Sequence, residues 1–149
     1  SLSGDGGFTM MMGEMLTLKQ LNLPVKIFVF NNEELSFIAM EMKASGYLDY
    51  ATDFVNPDFG KLAEAAGIKG VSIQNSSEVD EKIMEALNHN GPVIVNVRVD
   101  KQELAMPPKI AYQQAKGFSK YLINAILDGR GTELKEMAKT NWMKYKSLF

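Results

Sequence analysis

Apolar positions along the chain alternate between two rhythms. Over residues 9–21 they recur at Met11, Met12, Met15, Leu16 and Leu18, a helical spacing, with Thr9 as a candidate cap. Asn22-Leu23-Pro24 stops that helix. Residues 25–30 follow as an apolar run broken only by Lys26, the pattern of a buried parallel strand. Residues 33–45 again suit a helix, which Gly46 ends. Residues 47–56 show no period and read as a loop. Asn56 is a candidate cap for the next helix, with Pro57 at its first position. Gly67, which has no Cβ, suits a left-handed turn at that helix's end. Residues 68–74 form a predicted strand, and Ser76 or Ser77 caps a helix through Val79, Ile83, Met84 and Leu87. After the turn Asn90-Gly91-Pro92, residues 93–99 form another strand. Ser1-Leu2-Ser3-Gly4 reads as the last residues of a buried strand, and the chain is expected to be a C-terminal piece of a longer polypeptide. Strand–helix alternation of this kind predicts an α/β fold, a parallel sheet flanked by helices.

The alternation stops at residues 101–108. Pro107-Pro108 marks the expected edge of the sheet region, so an α/β part over 1–106 precedes a helical segment over 107–149. Residues 112–127 and 133 to about 145 read as helices separated by Gly129-Arg130-Gly131. Leu122, Ile123, Ile126 and Leu127 form one apolar stripe. Leu134, Met137, Ala138, Trp142 and Met143 form another, with Lys135, Lys139, Lys144 and Lys146 beside it. An amphipathic helix with Trp and lysines suits a membrane interface. It equally suits packing onto the domain or onto a partner subunit.

Composition narrows this picture. A length of 149 residues is enough for a domain with a real core. The net charge of −2 gives no reason to expect nucleic acid as a partner. With no cysteine, a disulfide framework, a zinc–thiolate site and a thiol nucleophile are excluded. No apolar run approaches the roughly 18–20 residues needed to span a bilayer. The methionines Met10, Met11, Met12 and Met15 read as core packing rather than as a metal or heme site. His89, the one histidine, sits in the polar turn Asn88-His89-Asn90, and no Ser-His-Asp set forms around it.

The candidate chemistry lies at Gly4-Asp5-Gly6-Gly7 and Asn31-Asn32. Asp5 and Asn32 are 27 positions apart, with a helical pattern and a strand pattern between them. Each polar group therefore sits at the edge of a βα unit, where open parallel sheets place ligands. Glycines around a carboxylate let backbone N–H groups approach an anion, while the carboxylate and an amide oxygen hold a hard cation. Gly-Asp-Gly alone is more often a turn. Followed after 24 residues by Asn-Asn, it is far more specific.

With this spacing, the words GDGGFTMMMGEMLTL, LPVKIFVFNNEELSFIAMEMKASGYL and AKGFSKYLINAILDGRG…AKTNW resemble the thiamine diphosphate enzymes, and among them the bacterial pyruvate oxidases, flavin-dependent pyruvate:quinone oxidoreductases. The resemblance implies a three-layer thiamine diphosphate-binding fold with extra C-terminal helices. It implies that Asp5, Asn32 and the backbone carbonyl of Glu34 hold Mg2+. It places Gly4, Gly6, Gly7 and the Leu35-Ser36 backbone against the diphosphate. Many relatives have Gly at the position of Ser36, so a positive φ there would be strained. The resemblance further implies a role for Phe37 near the route between thiamine diphosphate and flavin, and for Glu41 as an acid near the active site. The pattern alone reads Phe37 as core and Glu41 as a solvated helix face.

The implied reaction is oxidative decarboxylation of pyruvate to acetate and CO2, with electrons passing through FAD to a quinone. The glutamate that pairs with the aminopyrimidine and the flavin domain both come from elsewhere in such enzymes. This chain alone is therefore expected to be inactive, with FAD bound mainly outside it. The resemblance also implies a homotetramer, lipid contact through the C-terminal helices, and a cytoplasmic place on the inner face of the membrane. Two alternatives stand beside it: another thiamine diphosphate enzyme such as an acetolactate synthase, and a non-catalytic α/β assembly module without cofactor.

Overall fold

A computed structural model describes residues 1–103 and 111–146. The strands are β1 (Leu2–Gly4), β2 (Lys26–Asn31), β3 (Lys69–Ile73) and β4 (Val93–Arg98). The helices are α1 (Asp5–Met10), α2 (Met15–Gln20), α3 (Ser36–Ala44), α4 (Phe59–Ala65), α5 (Val79–Asn88), α6 (Tyr112–Leu127) and α7 (Gly131–Lys146). They form two compact units. One joins residues 1–34 with 54–99, and the other joins residues 35–53 with those from Asp100 onward.

The first unit is a parallel sheet in the order β1-β2-β4-β3 with helices on both faces, as the strand–helix alternation predicts. Side chains alternate across it. Val29 and Ile94, with the partly buried Ile27, face one side with Phe8, Met15, Phe59 and Ala63. Val71, Ile73, Val93 and Val95 face the other with Ala86 of α5. Phe8 and Phe59 meet edge-on, with ring centroids 5.1 Å apart. Pairing of Gly4 with Phe30, and of Phe30 with Val97, brings the carboxyl ends of β1, β2 and β4 level.

Several helix starts differ from the sequence expectation. The first helix begins at Asp5, directly off β1, not at Thr9. Thr9 lies inside it and donates its hydroxyl to the Gly6 carbonyl at 2.9 Å. A 3-10 turn, Met12–Glu14, then separates α1 from α2. Of the four methionines read as core, Met15 is buried, while Met10 and Met11 are exposed. α4 is capped by Asp58, whose carboxylate accepts from Gly60 N and Lys61 N, and not by Asn56. α5 is preceded by a 3-10 turn over Ser76–Glu78, and neither serine caps it.

The second unit packs α6 on α3 and α7. Its core is Tyr121, Ala125 and Met137, with Leu48, Phe118, Leu122 and Leu134 against it. The apolar stripe read on α6 is thus split: Leu122 packs inward, while Ile123, Ile126 and Leu127 are exposed. Trp142 of α7 is exposed as well. A Cβ on Gly117 would lie 1.9 Å from the Ala44 carbonyl oxygen, so glycine is what lets α6 approach the end of α3. Lys43, only 4% exposed, reaches Glu133 at 3.5 Å and Asp49 at 4.0 Å, and Arg130 also pairs with Asp49 at 3.1 Å. Burial, followed by the Glu133 and Asp49 carboxylates, pushes the Tyr121 phenol above its ordinary range. The boundary expected at Pro107-Pro108, and the side chains of Met143, Lys144 and Lys146, lie outside the described residues. Among the described residues no helix is long and apolar enough to cross a membrane.

Candidate functional site

The level strand ends create the site. β1 delivers Asp5 at the first position of α1, where the carboxylate is 3% exposed. Its Oδ1 accepts from its neighbour Gly6 N at 2.8 Å. Its Oδ2 accepts from Glu33 N and from Asn56 Nδ2, both at 2.8 Å. No lysine, arginine or histidine among the described residues forms an ion pair with Asp5. Burying a carboxylate among N–H dipoles alone is costly unless a cation joins it. Oxygen donors of this kind suit a small hard ion such as Mg2+.

The loop after β2 is folded onto that carboxylate. Glu33 adopts φ 60°, the left-handed region, which is uncommon for a residue that is neither Gly, Asn nor Asp. Three bonds hold it there: its N–H to Asp5, its carbonyl accepting from Phe54 N at 2.8 Å, and its carboxylate to Arg98 Nη2 at 2.8 Å. That carboxylate raises the Arg98 guanidinium above its ordinary value, with burial opposing and the Asp5 charge adding. Asn32 Oδ1 accepts from Glu34 N at 3.2 Å, so the tip of the loop is an Asx turn. Glu34 is buried. The left-handed residue is therefore Glu33; Ser36 is the first residue of the right-handed α3, and the strain considered for it does not arise.

The predicted residues divide as follows. Asp5 and Gly6 are joined directly by a hydrogen bond, and Asn32 and Glu34 lie in the short loop whose Glu33 N also reaches Asp5; neither Glu33 nor Asn56 was among the predicted site residues. A Cβ at Gly4 would meet nothing within 4 Å, so packing within the chain does not demand glycine there. Leu35, Ser36, Phe37 and Glu41 belong to the second unit, at and within α3. Phe37 is 72% exposed, which overturns the reading of it as core. Glu41 is exposed too. His89 lines a cleft of about 510 Å3 with Lys19 and Lys69 at the opposite, amino edge of β3 and β4.

Sequence reasoning missed the residues behind Asp5. Asn56 Nδ2 bonds Asn31 Oδ1 at 3.1 Å, and Asn31 Nδ2 bonds Asn96 Oδ1 at 3.0 Å. The readable signal was Asn96 itself, a polar residue inside the apolar run Val93–Arg98, because buried amides need partners. Among the described residues no three His, Cys, Asp or Glu side chains cluster as metal ligands. The predicted set contains a single ligating carboxylate, with an amide and a backbone carbonyl.

A parallel sheet with two loop tips meeting at its carboxyl edge defines a cofactor-binding α/β domain. Residues 1–97 match the family described as "Thiamine pyrophosphate enzyme, C-terminal TPP binding domain", and the chain belongs to it. "Putative thiamine pyrophosphate-containing protein YdaP" of Bacillus subtilis (strain 168) is 36% identical over 140 residues, covering 94% of this chain and 24% of that protein. "Acetolactate synthase catalytic subunit, mitochondrial" of Saccharomyces cerevisiae is 37% identical over 107 residues, 71% of this chain and 16% of the relative. "Acetolactate synthase large subunit" of Pyropia yezoensis is 35% identical over 109 residues, again 71% of this chain and 18% of the relative. The chain thus spans about a quarter or less of these relatives' lengths.

Proposed function

We propose that this chain is the diphosphate- and Mg2+-binding domain of an enzyme that decarboxylates pyruvate with thiamine diphosphate. The observation that carries the reading is the buried Asp5 carboxylate, held by three N–H donors and paired with no cationic side chain among the described residues. In this reading the Asp5 carboxylate, the Asn32 amide oxygen and the Glu34 backbone carbonyl are the protein's ligands to Mg2+. Gly4, Gly6 and Gly7 lie along the diphosphate. When bound, thiamine diphosphate supplies the electron sink for loss of CO2 from a 2-keto acid. This chain's own part is to grip the charged end of the cofactor and fix its orientation.

The fate of the decarboxylated unit separates two enzymes. The two relatives of stated activity named above are acetolactate synthases, which supports its transfer to a second keto acid. The second reading is oxidation to acetate through FAD and a quinone, in a tetramer that touches lipid through its C-terminal helices. It draws on apolar residues that those helices leave exposed. The exposed Ile123, Ile126, Leu127 and Trp142 suit a lipid surface.

The test uses the full-length protein with pyruvate, thiamine diphosphate, Mg2+ and FAD. Acetolactate as product supports the synthase. Acetate with reduction of an electron-accepting dye supports the oxidase, as does liposome flotation that is lost when the residues after Gly131 are removed. Asp5→Ala is expected to abolish Mg2+-dependent thiamine diphosphate binding in calorimetry. Unchanged binding in that variant would refute the assignment of the site.

A further inference from the structure

The segment Asn56-Pro57-Asp58 is pinned on both sides. Asp58 caps α4 through Gly60 N at 2.9 Å and accepts from the Ser72 hydroxyl of β3. Pro57 fixes its own φ and restricts the residue before it, and its carbonyl lies 3.5 Å from Asn31 Nδ2. Asn56 is therefore presented from a rigid lead-in rather than from a free loop. Its Nδ2 spends one proton on Asp5 Oδ2 and the other on Asn31 Oδ1. Asn31 passes the bond on to the buried Asn96 in the middle of β4. Donation thus diverges from Asn56: one N–H goes to the carboxylate, and the other starts a chain through Asn31 of β2 that ends on Asn96 of β4.

We infer that Asn56 is a positioning residue for the metal-binding carboxylate, with Asn31 and Asn96 as its backing. The inference deepens the proposed function and rests on it. With Asn56 and Glu33 N both on Oδ2 and Gly6 N on Oδ1, the carboxylate cannot turn about its Cβ–Cγ bond without breaking a bond. Its remaining lone-pair directions are fixed with it. Mg2+ demands nearly ideal octahedral geometry, while Ca2+ tolerates displaced and irregular oxygens. A carboxylate released from its orienting partner therefore harms Mg2+ more than Ca2+. Removing outer partners of metal ligands weakens metal affinity by about 10–100-fold.

The experiment titrates Mg2+ and, separately, Ca2+ into full-length wild type and Asn56→Ala, reading thiamine diphosphate binding by calorimetry. The expected result is about a 10-fold or greater loss of Mg2+ affinity, a clearly smaller loss for Ca2+, and an unchanged far-UV circular dichroism spectrum. Asn56→Ser, too short to reach both acceptors, is the second variant should the alanine form fold poorly, and the same ion ratio is expected of it. Equal losses for the two ions, or none, overturn the inference and leave Asn56 a structural residue. If wild type shows no metal-dependent binding, the reading of the site falls first and takes this inference with it.

Discussion

Gly70 is where the sheet unit is least tolerant of one added carbon. It lies in β3 against α4, and a Cβ built there would sit 1.9 Å from the Gly60 carbonyl oxygen and 2.6 Å from the carbonyl carbon. That is 1.1 Å inside the 3.0 Å limit that real Cβ contacts respect. The obstacle is helix backbone, so no rotamer change relieves it. Gly70→Ala must push the start of α4 away from the sheet. Phe59 and Ala63, both fully buried, move with it and lose contact with Val29 and Ile94. Overpacking of this kind costs about 1–3 kcal/mol. For a chain of this size each kcal/mol lowers Tm by about 2–4 °C, so a fall of roughly 2–12 °C is expected. Gly13→Ala is the control, because a Cβ there meets nothing within 4 Å and its φ is not positive. Thermal scans of both variants and wild type, followed by circular dichroism, decide the matter. A Gly70→Ala melting point within a degree of wild type would show that α4 and β3 have room to spare, and the close-approach argument would fail. Because α4 also carries the Asn56-Pro57-Asp58 lead-in, the proposed Mg2+ site predicts weaker metal-dependent thiamine diphosphate binding in a folded Gly70→Ala protein as well.

Two further outcomes follow from charged groups. The Lys82 ammonium first, then the Asn75 amide and the Gln74 N–H, hold the Glu78 carboxyl at about 2, below its usual 4.5. A depressed carboxyl adds stability that is fully present above pH 4.5 and is lost as pH falls through about 2. The stability gap between wild type and Glu78→Gln, taken from urea midpoints, should therefore shrink over that window; a gap constant from pH 6 to pH 2 would contradict the assignment. In the second unit, Lys43→Met removes a buried cation from between Asp49 and Glu133. Breaking a buried pair costs about 3–5 kcal/mol, and the loss here should fall at or below the low end because Arg130 still faces both carboxylates. A urea midpoint unchanged in Lys43→Met would mean that the cluster contributes nothing net.

β2 and β4 were legible as short, mainly apolar runs, β2 bounded by Pro24 and Asn32 and β4 preceded by the Asn90-Gly91-Pro92 turn, and β3 was legible from its alternation. The Gly-Asp-Gly and Asn-Asn spacing was legible because both ends fall at strand–helix junctions on one edge. Other features were settled by contacts the linear pattern does not carry. Asn56 and Asp58 are both good capping residues on either side of Pro57, and local rules do not choose between them. The structure chooses Asp58 because Gly60 N, Lys61 N and the Ser72 hydroxyl converge on it, which leaves Asn56 to Asp5. Glu33 has no local preference for a left-handed backbone. Its bonds to Asp5, Phe54 and Arg98, all far along the chain, hold it there, as is common for strained positions beside binding sites. The grouping of residues 35–53 with the C-terminal helices depends on the Gly117–Ala44 approach and the Lys43 ion cluster, again between distant segments.

The amide ladder behind Asp5 also constrains the fold. Asn96 lies opposite Val29 in the β2–β4 register, and Asn31 lies opposite Arg98. Both asparagines point to the same face, toward the lead-in of α4. Slipping β2 by one residue against β4 would turn Asn31 to the α5 face, among Phe28, Val95 and Val97, where no amide or carboxylate waits. It would also leave Asn96 buried with an unsatisfied amide, at a cost of about 1–3 kcal/mol. An apolar residue at 96 would pack as well against Val29, but it would not penalise the slip. The buried amides therefore do two things at once. They select the strand register, and that same register sets Asp5 and the Asn31–Glu34 loop level at one edge of the sheet.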